Sequence, residues 1–311
     1  MALAAWQKTG LVALAGLVSV ATVADAQQAP NWQWCANEDN KVSPDLAING
    51  CTAVIQSGKE SQKNLAIAFY DRGVAFASKK DHDRAIADYN QALELNPGYV
   101  IAYVARGNAW SNKGDLDRAL ADYDKAIGLD PKAEAPYNNR ARVWRGKDNL
   151  DNAIADLTVA IRLDPTDAYP YRERGLIEFA KGDLAAAAAD MLRASERRDS
   201  AYTMAYRFLV RARLGEDGAA ELAANAARLN STEWPHAVIA LLLGERTADD
   251  TLAAASTPGE RCEASFYVGE WYLARDNRDK ARPLLQNAAD TCPKSFGEYF
   301  MALAEVKRLG P

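Results

Sequence analysis

The chain has 311 residues, of which 49% are hydrophobic and 25% are charged, and its net charge is -5. This balance is typical of a folded protein and excludes a mostly disordered chain. The modest negative charge gives no sign of the clustered excess of Lys and Arg that nucleic-acid binding requires. With only two histidines, His82 and His236, a His-based catalytic triad or a His-ligated metal centre is nearly excluded.

Residues 1–26 predict a cleavable signal peptide. Lys8 precedes an apolar stretch over 11–24, which is too short to span a bilayer comfortably, and residues 24–26 have the A-x-A form of a cleavage site. The first cysteine is Cys35, so none stands at the cleavage point to carry a lipid. We therefore expect a periplasmic or secreted protein whose mature chain has no transmembrane segment.

Residues 27–60 are expected to form an N-terminal segment and a capping helix. The Ser-Pro pair at 43–44 is typical of a helix start, and Gly58 ends the helix. Cys51 lies on this helix, and Cys35 is expected in an extended stretch before it. A disulfide between the two would tie down the mature N-terminus.

A 34-residue repeat dominates residues 61–201. Four units run over 66–99, 100–133, 134–167 and 168–201. Two antiparallel helices approach closely only where both present small side chains, and such residues recur every 34 positions: Gly73, Gly107, Ala141 and Gly175; Ala85, Ala119, Ala153 and Ala187; Ala92, Ala126, Ala160 and Ala194. An Asp or Asn stands where each second helix should begin, as an N-cap, at Asp81, Asp115, Asn149, Asp183 and Asn277.

This pattern resembles the tetratricopeptide-repeat (TPR) consensus, with prolines ending three units at Pro97, Pro131 and Pro165. The resemblance implies an all-α, right-handed TPR solenoid with N- and C-terminal capping helices. In such arrays the first helices line a concave groove that binds proteins or peptides. The groove positions here are Tyr70, Asn108, Asn138, Arg142, Tyr169 and Arg172, with Arg145 beside them. A solvated face with no single ligand is the alternative.

Residues 202–261 predict a degenerate fifth repeat followed by an insertion of short helices. Trp234-Pro235 opens the first short helix, and Thr247 with Asp250 resembles a capping box for the second. Residues 262–311 predict a sixth repeat and a C-terminal capping helix. Ser295 and Glu298 resemble a capping box for this helix, whose Phe296, Phe300 and Leu303 fall on one face.

The sixth repeat carries the other two cysteines. Cys262 begins its first helix and Cys292 ends its second, and an antiparallel pair brings those ends together, so we predict a second disulfide. Both disulfides should be structural, because a redox pair would use a C-x-x-C motif, which is absent. A metal site is disfavoured because the cysteine spacings match no zinc pattern.

One charged pattern recurs with the repeat and predicts a ladder of ion pairs between the two helices of each unit. Its members are Arg72 with Asp88, Arg106 with Asp122, Arg140 with Asp156, and Arg174 with Asp190. The sixth repeat replaces both partners, with Val268 and Leu284. Arg207 in the fifth repeat is expected to reach Asp190. A ligand-binding role for these arginines is the alternative.

The segment from about 200 to 309 resembles the C-terminal part of NlpI-type bacterial TPR proteins. It shares Trp234-Pro235, the Leu-Leu-Leu-Gly run over 241–244, and the Cys-Glu-Ala-Ser-Phe-Tyr run over 262–267. The resemblance implies a cell-envelope adaptor, which in that family brings peptidoglycan hydrolases to a periplasmic protease.

The expected function is therefore a periplasmic scaffold for protein partners, either envelope hydrolases or a protease. No G-x-S-x-G, H-E-x-x-H, P-loop or G-x-G-x-x-G motif is present, so we predict neither an enzyme nor a cofactor. An accessory factor for secretion or pilus assembly is the alternative, and an enzyme is a distant third. A homodimer is compatible with either scaffold.

Overall fold

The computed structural model describes residues 23–37, 41–198, 200–228 and 233–310. Most of the predicted signal peptide, residues 1–22, lies outside the described residues. Within the described ranges the chain forms seventeen α-helices and no β-strand. The prediction of an all-α fold is therefore confirmed.

The described helices follow one another through short connections. They are α1 (Val23–Ala36), α2 (Pro44–Gln56), α3 (Gln62–Ser78), α4 (His82–Leu95), α5 (Val100–Asn112), α6 (Leu116–Leu129), α7 (Ala135–Gly146), α8 (Leu150–Leu163), α9 (Ala168–Lys181), α10 (Leu184–Arg197), α11 (Ala201–Arg213), α12 (Ala219–Ala226), α13 (His236–Leu242), α14 (Ala248–Ala254), α15 (Pro258–Leu273), α16 (Arg278–Thr291) and α17 (Gly297–Leu309). They cluster into two compact units that divide between residues 102 and 103.

In the first unit, α1 packs against α2, and a disulfide joins Cys35 to Cys51. The expectation that Cys35 lies in an extended stretch was wrong, because α1 is helical through it. The reason is tertiary. A side chain at Gly50 would come within 2.7 Å of the Asn31 carbonyl, so the bare glycine lets α1 lie directly on α2, where its buried Cys35 joins a small core with Val54.

The repeat hairpins pack through the small residues that the sequence singled out. A Cβ atom added at Gly73 would lie 2.6 Å from the Tyr89 ring, and one at Gly107 would lie 2.7 Å from the Tyr123 ring. In both repeats the missing side chain thus makes room for a fully buried tyrosine of the second helix. Each hairpin closes around this contact.

The predicted N-caps are confirmed at all five second helices. In each, the side-chain oxygen of the Asp or Asn accepts from the backbone N–H three residues on: Asp81, Asp115, Asn149, Asp183 and Asn277. Thr247 caps α14 in the same way. These caps satisfy donors that the first turn of a helix leaves without partners.

In the second unit the C-terminal helix α17 packs against α16 and also against α9. Its predicted capping box was wrong: the helix begins at Gly297 after Phe296, which makes no side-chain cap. Glu298 is instead turned into the protein, where its carboxylate accepts from the hydroxyls of Tyr206 and Tyr267. A second disulfide joins Cys262 to Cys292, at the ends of α15 and α16.

Across the part of the chain that the structure describes, no helix is both long and apolar enough to cross a membrane. The same residues include no group of three or more His, Cys, Asp or Glu placed to hold a metal ion.

Candidate protein-binding surface

The recurring Arg–Asp pairs lie between the two helices of each regular repeat. In the third repeat, Arg140 donates from Nε and Nη2 to the two carboxylate oxygens of Asp156, at 2.9 and 2.6 Å. The same two-pronged geometry joins Arg72 to Asp88, Arg106 to Asp122 and Arg174 to Asp190. Each Asp is at most 6% exposed, so a buried carboxylate meets a fitted guanidinium.

Guanidinium groups of this ladder also contact the preceding helix hairpin. The Nη1 group of Arg140 pairs with Asp124, that of Arg174 donates to the Thr158 hydroxyl at 2.9 Å, and that of Arg72 donates to the Thr52 hydroxyl at 3.1 Å. These guanidinium groups therefore link successive hairpins as well as the two helices of one repeat. The hydrogen bonds that Arg140 donates to Asp156 and Asp124 raise its pKa, even though its burial acts in the opposite direction.

The fifth and sixth repeats depart from this ladder. The expected contact of Arg207 with Asp190 was wrong, because Arg207 pairs with Glu221 of α12, at 2.6 Å from Nε. Asp190 already receives two bonds from Arg174, whereas α12 brings the Glu221 carboxylate, which also pairs with Arg211, within reach of Arg207. In the sixth repeat, Val268 is fully buried and packs against Leu284, an apolar contact in place of an ion pair.

Six side chains on the first helices α5, α7 and α9 form what we call the first-helix face: Asn108, Asn138, Arg142, Arg145, Tyr169 and Arg172. The Tyr123 hydroxyl connects α5 to α7, because it donates to the Asn108 side-chain oxygen at 2.7 Å and also hydrogen-bonds to Arg142. Arg142 itself is exposed. The structure thus brings together five of the six groove residues predicted from the sequence, with Arg145 beside them.

Charged side chains surround Tyr169 on this face. Its pKa is raised to about 12, first by burial and then by the Glu173 carboxylate, while Arg142, Arg145 and Arg172 act to lower it. Three cations and one carboxylate therefore act on the same phenol. The local excess of positive charge favours a ligand that carries carboxylates.

Glu173 holds two of the three arginines in place. It is buried on α9, and its two carboxylate oxygens accept from Arg145 at 2.8 Å and from Arg172 at 2.9 Å. Sequence reasoning missed this residue, since it singled out groove positions by their place in the repeat and not by what neutralises them. A search for a carboxylate near the two arginines would have found it.

Two buried polar atoms of the first-helix face have no hydrogen-bond partner. They are the Nε donor of Arg172 and the side-chain oxygen of Asn138. The amide nitrogen of Asn138 is already used, because it donates to Glu134 at 2.5 Å. Buried polar groups are normally satisfied, so these two atoms are exceptions within the described residues.

Tyr70, the sixth predicted groove residue, belongs to the first unit. Its ring lies 5.9 Å from that of Tyr89 and 5.3 Å from that of Tyr99, both in tilted contacts. Burial, followed by the nearby Asp71 carboxylate, raises its pKa. Tyr70 is thus part of a tyrosine cluster with a neighbouring acidic group.

The C-terminal helix α17 closes one side of the first-helix face, which sequence reasoning also missed. The Phe300 ring lies under the Arg145 guanidinium, and the guanidinium carbon is 5.6 Å from the ring centre. The same ring packs with Ala141 and Ile177. Near the other end of α17, Arg308 donates to the carbonyls of Phe179 and Ala180 at the end of α9.

Family models for the tetratricopeptide repeat match residues 66–99 and 100–133. No curated protein sequence matches the chain significantly. Among solved structures, the C-terminal part of a TPR repeat-containing protein from Cytophaga hutchinsonii is 16% identical, with a TM-score of 0.53, over 88% of this chain and 98% of that one. Pseudomonas aeruginosa pilF is 15% identical, with a TM-score of 0.52, over 79% of this chain and 100% of that one.

At these identities the structural likeness shows the fold alone, and the resemblance to NlpI-type proteins stays a prediction. The family matches fall on the first two of the repeats read from the sequence, and the solved relatives extend the likeness over most of the chain. This chain contains tetratricopeptide repeats and has the all-α fold of a TPR solenoid.

Proposed function

We propose that this chain is a scaffold that binds a segment of a partner protein on the first-helix face. The observation that carries the proposal is the convergence of Arg142, Arg145 and Arg172 on Tyr169, where Glu173 pairs with Arg145 and Arg172. The unpartnered atoms of Arg172 and Asn138 add hydrogen-bonding capacity that the chain itself does not use.

We further propose that the scaffold works in the bacterial periplasm, with envelope hydrolases or a protease as partners. The two disulfides support an oxidising compartment, because such bonds persist outside the reducing cytosol. The apolar leader over 11–24 and the A-x-A sequence after it support export. The resemblance of residues 200–309 to NlpI-type adaptors supports the choice of partners.

Affinity capture from the cell-envelope fraction tests both parts. The wild-type chain should retain a reproducible set of proteins, and Arg142→Ala with Arg172→Ala should lose most of it while helical content by circular dichroism stays the same. The matched control is Arg162→Ala with Arg193→Ala, which removes the same charge from exposed positions on α8 and α10.

Each outcome of the capture has a distinct meaning. Retention of the partners by Arg142→Ala with Arg172→Ala would contradict the first-helix face as the binding surface. Recovery of hydrolases or a protease would support the proposed envelope role, whereas recovery of secretion or pilus components would overturn it in favour of that alternative.

A further inference from the structure

Helix α17 buries two carboxylates next to the apolar Met301 and Ala302, while one of its leucines stays exposed. Its inward positions include two carboxylates, because Glu298 is 4% exposed and Glu305 is 1% exposed. On the opposite side, Leu303 is 43% exposed. A cap helix that served only to cover a core would bury its leucine and expose its glutamates.

The exposed leucine lies on the same side of α17 as Phe300, since residues three apart in a helix are neighbours. Phe300 is half-buried and contacts Arg145 of the first-helix face. We call Phe300 and Leu303 the α17 ridge. The ridge and the arginines therefore lie side by side within the second unit.

The inward glutamates explain how α17 holds this orientation. Glu298 accepts from two buried tyrosines, and Glu305 pairs with Arg308 and with Arg213 of α11, the latter at 3.2 Å. Since turning the helix over would bury Lys307 and leave these partners without acceptors, the apolar ridge is kept facing outward.

We propose that the α17 ridge is the second wall of the binding surface, and that the partner segment it fits pairs acidic side chains with a nearby aliphatic or aromatic one. This inference rests on the proposed function and specifies its ligand. The acidic side chains match the arginines by charge, and the apolar side chain would cover Leu303.

Selection from a random 12-residue phage-displayed peptide library on the mature chain tests the inference. Enriched peptides should contain Asp or Glu together with an apolar residue a few positions away. The strongest peptide is then made synthetically, and its Kd is measured by fluorescence anisotropy. Leu303→Ser should weaken that Kd by about tenfold, the effect expected when one leucine contact is lost.

The matched control is Leu129→Ser, since Leu129 is also an exposed leucine, at 40%, but lies at the end of α6. It should leave the Kd unchanged. A charge-reversed peptide, with Lys in place of Asp and Glu, should fail to bind.

The results separate this inference from the proposed function. Enrichment of acidic peptides without an apolar residue, or a Kd that Leu303→Ser leaves unchanged, would overturn the inference and leave the first-helix face intact. Failure to enrich any sequence would overturn both. Concentration-dependent self-association that Leu303→Ser abolishes would mean that the ridge binds a second copy of this chain, and would also overturn the inference.

Discussion

The regular repeats and the C-terminal region bury carboxylates in two different ways. In the regular repeats every buried Asp receives two bonds from one arginine of the partner helix, as Asp156 does from Arg140. In the C-terminal region, Glu263 accepts from the Trp234 indole and the Tyr202 hydroxyl, while Glu270 shares the Nη1 group of Arg213 with Glu305.

The pKa values of two buried glutamates in the C-terminal region show the consequence. Burial raises the pKa of Glu263, which has neutral donors, and raises that of Glu270 to about 8, with the Glu305 carboxylate as the second cause. One Glu270 oxygen has no hydrogen-bond partner at all. A buried carboxylate that must share its cation with another carboxylate favours its neutral form.

The largest expected effect comes from breaking one rung of the regular ladder. Arg140→Val should lower the free energy of unfolding by about 3–5 kcal/mol, because Asp156 is 5% exposed and would lose its partner. Adding Asp156→Leu should restore most of the loss, since this double variant copies Val268 and Leu284 of the sixth repeat. Urea unfolding followed by circular dichroism measures both.

The control for this comparison is Arg118→Val, which breaks the exposed pair with Asp115 and should cost less than about 1 kcal/mol. A double variant no more stable than Arg140→Val alone would show that the rung is not interchangeable with an apolar contact.

The next largest effect is a pH dependence of the free energy of unfolding, which arises from Glu270 in the C-terminal region. Between the ordinary glutamate pKa of 4.5 and the value of about 8 in the folded protein, the folded state holds a proton on Glu270 that the unfolded state has lost. The stability that this bound proton contributes is complete below pH 4.5 and is lost as the pH rises to 8. Stability should therefore fall by up to about 1.4 kcal/mol per pH unit in this window.

Glu270→Gln should remove this slope, and urea unfolding at a series of pH values from 5 to 9 would measure it. The control Glu94→Gln changes an exposed carboxylate of α4 and should keep the wild-type slope. An unchanged slope in Glu270→Gln would mean that the shared arginine keeps Glu270 charged after all.

The smallest effect concerns helix starts in the two regions. Asn149→Ala should cost about 1 kcal/mol, because its side chain caps α8. Ser295→Ala should change stability by less than about 0.5 kcal/mol, because α17 begins two residues later without a side-chain cap. Urea midpoints measure both, and an equal loss for the two would contradict the assigned start of α17.

Sequence reasoning reached the repeats because their determinants are local. The small residues at Gly73 and Gly107, the Asx caps and the Arg–Asp pairs all act within one 34-residue hairpin, so their spacing alone is informative. Both disulfides also close short stretches of chain, with separations of 16 and 30 residues. The prediction failed for Cys35, whose helix depends on packing against α2 and not on a local signal.

The sequence by itself determined the tetratricopeptide repeats, the helical hairpins and the positions of the first-helix face. Only the tertiary structure decided how Glu173 holds its arginines, why Glu298 turns inward and which side of α17 remains exposed. The last two of these features rest on contacts between distant parts of the chain, such as Tyr206 with Glu298, 92 residues apart, and Phe179 with Arg308, 129 residues apart. A 34-residue period carries no information about such contacts, because they arise only when α17 packs back against α9.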